Sequence, residues 1–283
     1  MDPHTLEMSR QRLLALQQQI MQRIFDVETS MLAMDADRDI ERTDRVQEEA
    51  AEVALTALDE QGRREMEAIQ AALDHNAIMF AAAGTQAFYR LDQSMMYRET
   101  VWHSQSGKTL YNQRNAARAK QLLAEAGYRG EPLILMASPS FQQFFNAGVP
   151  IKAQLEEVGI NVDLQSPDWP TMVQRRGRRD QWHMLITSWG SLPDPSIFSQ
   201  NYHSQSGNWG WFANPEMDRH LDAMNASPDL KDRKAAFDNV QRVFYEQVTS
   251  VKLGDYFSLR GWRSNVKNVQ KHFLPVFWGV TVE

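Results

Sequence analysis

The stretch Leu133-Ile-Leu-Met-Ala137 decides the fold class of this chain. It is an uninterrupted apolar run of the length of a buried strand. Residues 116–126, which precede it, carry apolar positions on one helical face and end at Gly127, a residue suited to a left-handed helix cap. A helix followed by a buried strand predicts a domain of the α/β class.

The same alternation continues on both sides of this stretch. Helices are predicted at residues 141–158, 168–176, 214–224 and 230–245, and strands at 160–164, 182–189, 251–257 and 277–282. Asp168 is the expected N-cap of the short helix, and Pro150 is expected to kink or interrupt the long one. Strands that alternate with helices predict a largely parallel or mixed sheet with covering helices.

The first 75 residues have a different composition. They contain one of the 28 aromatic residues and carry 8 Arg against 17 Asp and Glu, so their net charge is −9 while the rest of the chain carries +3. Apolar residues recur every seven positions from Leu6 to Met34, and a second periodic segment runs from Leu55 to Leu73. This pattern predicts an antiparallel α-helical coiled-coil hairpin over residues 1–75, followed by the α/β domain over residues 76–283.

The turn between the two periodic segments is dense in acidic residues, among them Asp35, Asp37 and Asp39. Such a charge run is most often a solvated turn. The alternative interpretation is an interaction tip that presents carboxylates to a metal or to a basic partner. The sequence leaves both open.

Composition excludes several classes of protein. With no Cys, the chain forms neither a disulfide framework nor a thiolate metal site. No apolar run approaches the roughly 18 residues of a membrane-spanning helix. A net charge of −6 without a basic block argues against nucleic-acid binding. The N-terminal residues lack the basic region and apolar stretch of a secretory signal, so we expect nothing in this sequence to direct export.

Motifs for catalysis are missing from the sequence. It has no phosphate loop, dinucleotide fingerprint, nucleophile elbow or zinc-protease motif. The seven His residues are scattered without metal-ligand spacing. We therefore expect a binding protein and not an enzyme, with no cofactor and no bound metal.

The middle of the chain is instead rich in aromatic residues. The stretch Trp189-Gly-Ser-Leu-Pro-Asp-Pro195 follows a predicted strand end, where ligand crevices of open α/β sheets form. The candidate ligand-binding residues are Trp169, Trp189, Gly190, Asp194, Tyr202, Trp209 and Trp211, with Arg175 as a candidate for attracting a carboxylate. The alternatives are core packing for about half of the aromatic residues and a solvated basic turn for Arg175.

A family resemblance covers residues 76–283. The segments that carry it are 88–102, 110–112, Ala119-Lys-Gln-Leu-Leu-Ala-Glu-Ala-Gly-Tyr128, 154–163, 168–176, Trp211-Phe-Ala-Asn-Pro-Glu-Met-Asp218, 252–257 and 275–279. In order and spacing they resemble the family 5 extracytoplasmic solute-binding proteins, the dipeptide- and oligopeptide-binding subunits of ABC importers. The chain resembles the C-terminal part of such a protein.

This resemblance implies a fold, a ligand and a partner. The fold is periplasmic-binding-protein-like (type II), with two α/β lobes that are hinged by crossing strands and close on a peptide or a similar small solute; here the lobe is partial. The partners are ABC permease subunits of the inner membrane, and the location is periplasmic or extracytoplasmic, with cytoplasmic retention as the alternative. In peptide-binding members an acidic residue soon after the Trp that matches Trp189 binds the peptide amine. Ser191 or Leu192 stands at that place here, and Asp194 either substitutes for the acid or caps the next helix.

A weaker resemblance concerns the N-terminal part. The run from Leu55 to Asp74, with the acidic turn before it, is similar to the coiled coil of the DksA/TraR family, whose acidic tip enters the secondary channel of RNA polymerase. That family continues into a four-Cys zinc finger, which a chain without Cys lacks. The resemblance implies RNA polymerase as an alternative partner and transcription modulation as the alternative function.

Overall fold

The computed structural model of the chain describes residues 60–190, 193–206, 213–257, 261–270 and 276–283. The first helix of the predicted hairpin and the acidic residues Asp35, Asp37 and Asp39 lie outside the described residues. So do Trp209 and Trp211.

Eight α-helices are found in the described part of the chain. They are α1 over residues 60–72, α2 His75–Ala83, α3 Ala116–Ala126, α4 Gln142–Glu157, α5 Trp169–Arg175, α6 Ile197–Tyr202, α7 Pro215–Ala226 and α8 Leu230–Glu246. The predicted caps are confirmed: the Asp168 carboxylate accepts a hydrogen bond from the amide of Thr171, and Gly127 ends α3 with a φ of 70°.

The strands form one three-stranded sheet and two antiparallel pairs. The strands are β1 Tyr89–Arg90, β2 Leu133–Met136, β3 Val162–Gln165, β4 Met184–Leu185, β5 Asp255–Tyr256, β6 Val266–Lys267 and β7 Thr281–Val282. The sheet has the order β3-β2-β4 and is parallel throughout, with Leu135 facing Leu164 on one side and Met184 on the other. The predicted α/β class is confirmed, and the run Leu133–Met136 is the central strand.

Three predicted strands are shorter than expected. Residues 182–189, 251–257 and 277–282 contribute only the two-residue strands β4, β5 and β7. Each of these pairs with a single described neighbour, namely β2, β1 and β6 respectively. The apolar residues around them satisfy the strand pattern but are not paired in a ladder among the described residues.

Helix α4 packs closely against the end of β2 because residue 148 is a glycine. A Cβ atom on Gly148 would lie 2.9 Å from the Cβ of Ala137 and 3.2 Å from Cδ1 of Leu164. The helix also runs unbroken through Pro150, so the predicted interruption is wrong. Burial of Ile151 and Leu155 after the proline stabilises the helix and offsets the hydrogen bond that the proline cannot donate.

Helix α1 packs in the core of the α/β domain. Ala68 and Ile69 are buried in one cluster with Leu123, Leu135 and Leu155. The hairpin prediction instead places the apolar stripe of this segment against the first N-terminal helix. The division of the chain at residue 75 stays a prediction, because the proposed partner helix lies outside the described residues.

Helices α7 and α8 form a second core. It contains Leu221, Phe237 and Val240, and the Trp102 ring contacts Phe237 edge to face at a centroid distance of 6.4 Å. The buried Gln241 side chain accepts a hydrogen bond from the Met95 amide, which fixes the segment before α3 against α8.

Strands β1 and β5 bring together residues that are far apart in the sequence. Arg90 faces Asp255 in the antiparallel register. The buried Asp255 carboxylate accepts hydrogen bonds from Arg90 Nη2 at 3.3 Å and from Lys252 Nζ at 2.7 Å. This ion-pair network ties β1 to β5 and to the segment just before β5.

Candidate functional site

The carboxyl ends of β2, β3 and β4 lie at one edge of the parallel sheet. Because parallel strands end on the same side, the segments that follow them are neighbours in space. These segments carry Ser140 and Phe141 after β2, Trp169 after β3 and Trp189 after β4. This edge is the candidate ligand-binding site.

Trp169 is held in place by the segment after β2. Its ring contacts Phe141 edge to face at 5.0 Å and lies 6.2 Å from the Phe144 ring. Its amide donates a hydrogen bond of 3.0 Å to the Ser140 hydroxyl. Sequence reasoning missed Phe141 and Ser140 as site residues, although their position directly after the central strand was a usable signal.

Trp189 and Tyr202 contact each other in the structure but differ in exposure. A hydrogen bond links the Trp189 side chain to the Tyr202 hydroxyl, which also donates to Ser250 Oγ at 3.4 Å. Burial raises the pKa of Tyr202, so its hydroxyl stays protonated. Tyr202 is buried against Phe244, whereas Trp189 is 45% exposed. Part of the Trp189 ring is therefore open to solvent, while the buried Tyr202 holds the indole through the hydrogen bond.

Gly190 follows Trp189 at the surface. It is exposed, and a Cβ atom placed on it would have no other atom within 4 Å. The open space beside the exposed indole leaves room for a ligand group at this position.

Asp194 is engaged inside the protein. Its Oδ1 accepts hydrogen bonds from Arg233 Nη2 at 2.8 Å and from the Ser196 amide at 3.0 Å. Burial by itself would raise the pKa of the Asp194 carboxyl, but the hydrogen bonds with Arg233 and Ser196 outweigh it and hold the pKa below its usual range. Arg233 also lies 4.9 Å over the Trp102 ring. Asp194 is not the N-cap of α6: that residue is Ser196, and no side-chain hydrogen bond caps the helix, so the Asp194 carboxylate instead closes a turn onto the Ser196 amide.

A shallow groove of about 500 Å³ lies beside Asp194. It is lined by Pro193, Ile197, Gln200 and Asn225 among others. The Asn225 side chain donates to Ser199 Oγ at 2.7 Å, which fixes its amide in the groove wall. The groove is open to solvent.

Arg175 is also held by internal contacts. Its Nη2 donates to Gln165 Oε1 at 2.6 Å and to the Gln181 carbonyl at 2.7 Å. The guanidinium thereby joins the end of β3 to the segment that enters β4. This differs from the solvated basic turn that was the alternative for Arg175.

The described residues show neither a metal-binding cluster nor a membrane-spanning helix. No group of three or more His, Asp or Glu side chains there is arranged to hold a metal ion. Within the same residues, no helix is both long enough and apolar enough to cross a membrane.

Comparison with known proteins identifies the family of this chain. Residues 57–210 match the family model described as bacterial extracellular solute-binding proteins, family 5 Middle. The chain belongs to this family. The match begins at residue 57, ahead of position 76, in agreement with the packing of α1 in the α/β core.

The curated relatives that match the chain are peptide-binding proteins. The chain is 25% identical over 225 residues to a probable peptide ABC transporter periplasmic-binding protein of Sinorhizobium fredii, covering 74% of this chain and 41% of that protein. It is 28% identical over 145 residues to the periplasmic murein peptide-binding protein of Escherichia coli, covering 50% of this chain and 27% of the relative. The chain thus spans about two fifths or less of the length of these relatives.

Solved structures show the same fold. A dipeptide-binding protein from a Pseudoalteromonas species, in complex with Met-Leu, matches with a TM-score of 0.64 at 21% identity, over 78% of this chain and 45% of that one. The Bacillus subtilis oligopeptide-binding protein AppA, in complex with a nonapeptide, matches with a TM-score of 0.63 at 17% identity, over 78% and 47%. These relatives are substrate-binding proteins and not enzymes. The comparisons do not support the DksA/TraR resemblance.

Proposed function

We propose that this chain is the part of an ABC-importer substrate-binding component that faces the ligand, for peptides or related small solutes. It binds and does not catalyse. The observation that carries the proposal is that Trp169 and Trp189 lie on the segments that follow the carboxyl ends of β3 and β4, the two strands that flank β2 in the parallel sheet. The family membership and the peptide-binding character of the relatives support it.

The contacts of the site suggest how a ligand is held. The exposed ring of Trp189 and the half-buried ring of Trp169 offer flat apolar surface to side chains of the ligand. Asp194 could bind a free amine only by sharing or losing its contact with Arg233. We therefore propose that contacts along the ligand, and not a salt bridge to Asp194, supply most of the affinity.

The partners and the location follow from the family. The proposed partners are a peptide or similar small solute and the ABC permease subunits of the inner membrane, and the proposed location is periplasmic or extracytoplasmic. Trp209, Trp211 and Gly190 belong to the proposed site, and the first two lie outside the described residues. RNA polymerase as a partner has no support in the structure or in the comparisons.

Thermal unfolding of the purified full chain tests the proposal. A ligand that binds only the folded state raises the midpoint temperature of unfolding. At a ligand concentration of one hundred times the Kd, the free energy of unfolding rises by about 2.7 kcal/mol. Pools of dipeptides and tripeptides should raise the midpoint of the wild type but not that of Trp189→Ala. The control Phe80→Ala removes an exposed aromatic ring away from the site and should keep the shift. If no pool shifts the wild type, the proposal is wrong.

A further inference from the structure

The C-terminal segment, residues 257–283, ends in a strand pair without a core. Strands β6 and β7 pair through Val266 with Val282 and Lys267 with Thr281. None of the described residues in 261–270 and 276–283 is buried. An isolated two-stranded pair is at best marginally stable in water, so this pair needs cover from another part of the protein or from a partner.

The exposed side chains of this segment are large and apolar. Trp262 is 53% exposed, Phe277 79%, Trp278 85% and Val282 72%. Several large exposed apolar side chains in one short segment indicate a candidate interaction surface. The segment is also basic, with four Lys and Arg against a single acidic residue, Glu283.

Residues 1–59 have the complementary properties. They carry six Arg and no Lys against thirteen Asp and Glu, a net charge of −7, and their apolar residues recur at heptad spacing from Leu6 to Met34. An acidic segment with an apolar stripe matches a basic surface with exposed aromatic rings in both charge and hydrophobicity.

We infer that residues 1–59 of the same chain dock on the C-terminal segment and cover Trp262, Phe277 and Trp278. Both segments belong to one polypeptide, so the contact is intramolecular and does not depend on the concentration of a separate partner. Carboxylates of residues 1–59 face Arg263 and Lys267, and the apolar stripe lies on the aromatic rings.

Carbodiimide cross-linking of the full chain tests this contact. The reagent joins a carboxyl group to a lysine at zero length, and residues 1–59 contain no Lys. Every cross-link between these carboxyl groups and a lysine therefore reports contact with another region. We expect the links to reach Lys267 or Lys271, and to be rare at the exposed Lys120 and Lys231, which act as internal controls.

Two surface variants separate docking from folding. Trp278→Ser removes one exposed ring, and we expect the yield of links to Lys267 to fall about tenfold, as the burial of one aromatic side chain implies. Arg263→Glu should lower the yield up to about fivefold and make it less dependent on salt. Circular dichroism of both variants should match the wild type, because neither side chain is buried.

A mixture of isotopically labelled and unlabelled chains identifies the occupant. Links found only within one isotopic form, with none between the two forms, support the inference. Links that join the two forms mean that a second copy covers the surface, and this result overturns the inference. So does an equal yield at Lys120, Lys231 and Lys267, or a yield at Lys267 that Trp278→Ser leaves unchanged.

Discussion

Asp194 Oδ1 and Arg233 Nη2 lie 2.8 Å apart, although 39 residues separate the two side chains in the sequence. The hydrogen bond joins the loop after β4 to helix α8. Because this loop also carries Trp189, the contact connects the candidate site with the second core. Asp194, the acidic residue near the expected amine-binding position, is therefore already paired with a side chain of the same chain.

Asp194→Asn should lower the free energy of unfolding by about 1 kcal/mol, since a charge-assisted hydrogen bond at a partly exposed site is weakened and not abolished. Urea denaturation measures the change. The control Asp238→Asn disrupts an ion pair with Lys234 within a single helix and should cost less, about 0.3–0.5 kcal/mol. An equal loss in both variants would mean that the Asp194 contact has no special role in joining the loop to α8.

Trp169→Ala and Trp189→Ala should have different consequences. Trp169 contacts Phe141 and Phe144, so we expect its removal to cost about 2 kcal/mol of stability. Trp189 is largely exposed, and its loss should cost less than about 1 kcal/mol. Chemical denaturation of both variants checks the order, and a larger loss at Trp189 would contradict the described packing.

Gly107→Ala should be strongly destabilising. Gly107 has a φ of 71°, and a Cβ atom there would lie 2.2 Å from Cδ2 of Tyr245. Left-handed strain and the clash together should cost about 2–5 kcal/mol. The control Gly127→Ala, with a φ of 70° and open space around it, should cost only about 1–2 kcal/mol. The difference in unfolding midpoints is the test, and similar midpoints would refute the close approach to Tyr245.

His75 should make stability fall in mild acid. Burial lowers the pKa of its imidazole to about 4 from an ordinary value of 6.5, and the Asp74 carboxylate offsets only part of this effect. The unfolded chain therefore binds the proton first, so the His75 contribution is complete above pH 6.5 and is lost as the pH falls toward 4. The loss is about 3 kcal/mol at most.

The measurement is the free energy of unfolding of the wild type and of His75→Gln at pH 4.5, 5.5 and 7. Carboxylates contribute to acid destabilisation in both proteins. The quantity compared is therefore the slope of the free energy of unfolding against pH, and not its absolute value. We expect a shallower slope for His75→Gln between pH 6.5 and 4.5. Parallel slopes would show that His75 is accessible to protons in the folded state.

The sequence predicts most of the fold because local signals and the apolar pattern agree. The caps at Asp168 and Gly127 and the central strand at residues 133–136 are found where the pattern places them. The unbroken helix at Pro150 could not be predicted, since it depends on burial of Ile151 and Leu155 in a core that local sequence does not reveal. The short strands likewise depend on which neighbours are available for pairing.

The candidate site was only partly predictable. Trp169 and Trp189 follow strand ends in the sequence, so their position at one sheet edge could be expected. The internal partners of Asp194 and Arg175 could not be expected from the sequence. Arg233 reaches Asp194, and the Gln181 carbonyl reaches Arg175, only in the folded chain. Trp189 is partly exposed whereas Tyr202 is buried. The sequence does not reveal this difference, because both positions hold an aromatic residue.

The central claim is that this chain carries the ligand-facing part of a peptide-binding component. Native mass spectrometry of the full chain, purified without denaturation and analysed at neutral pH, tests it most directly. We expect a population with one small peptide or related solute bound per chain, which is lost in Trp189→Ala and kept in Phe80→Ala. Ligand-free chain in every preparation, also after incubation with dipeptide and tripeptide pools, would contradict the claim.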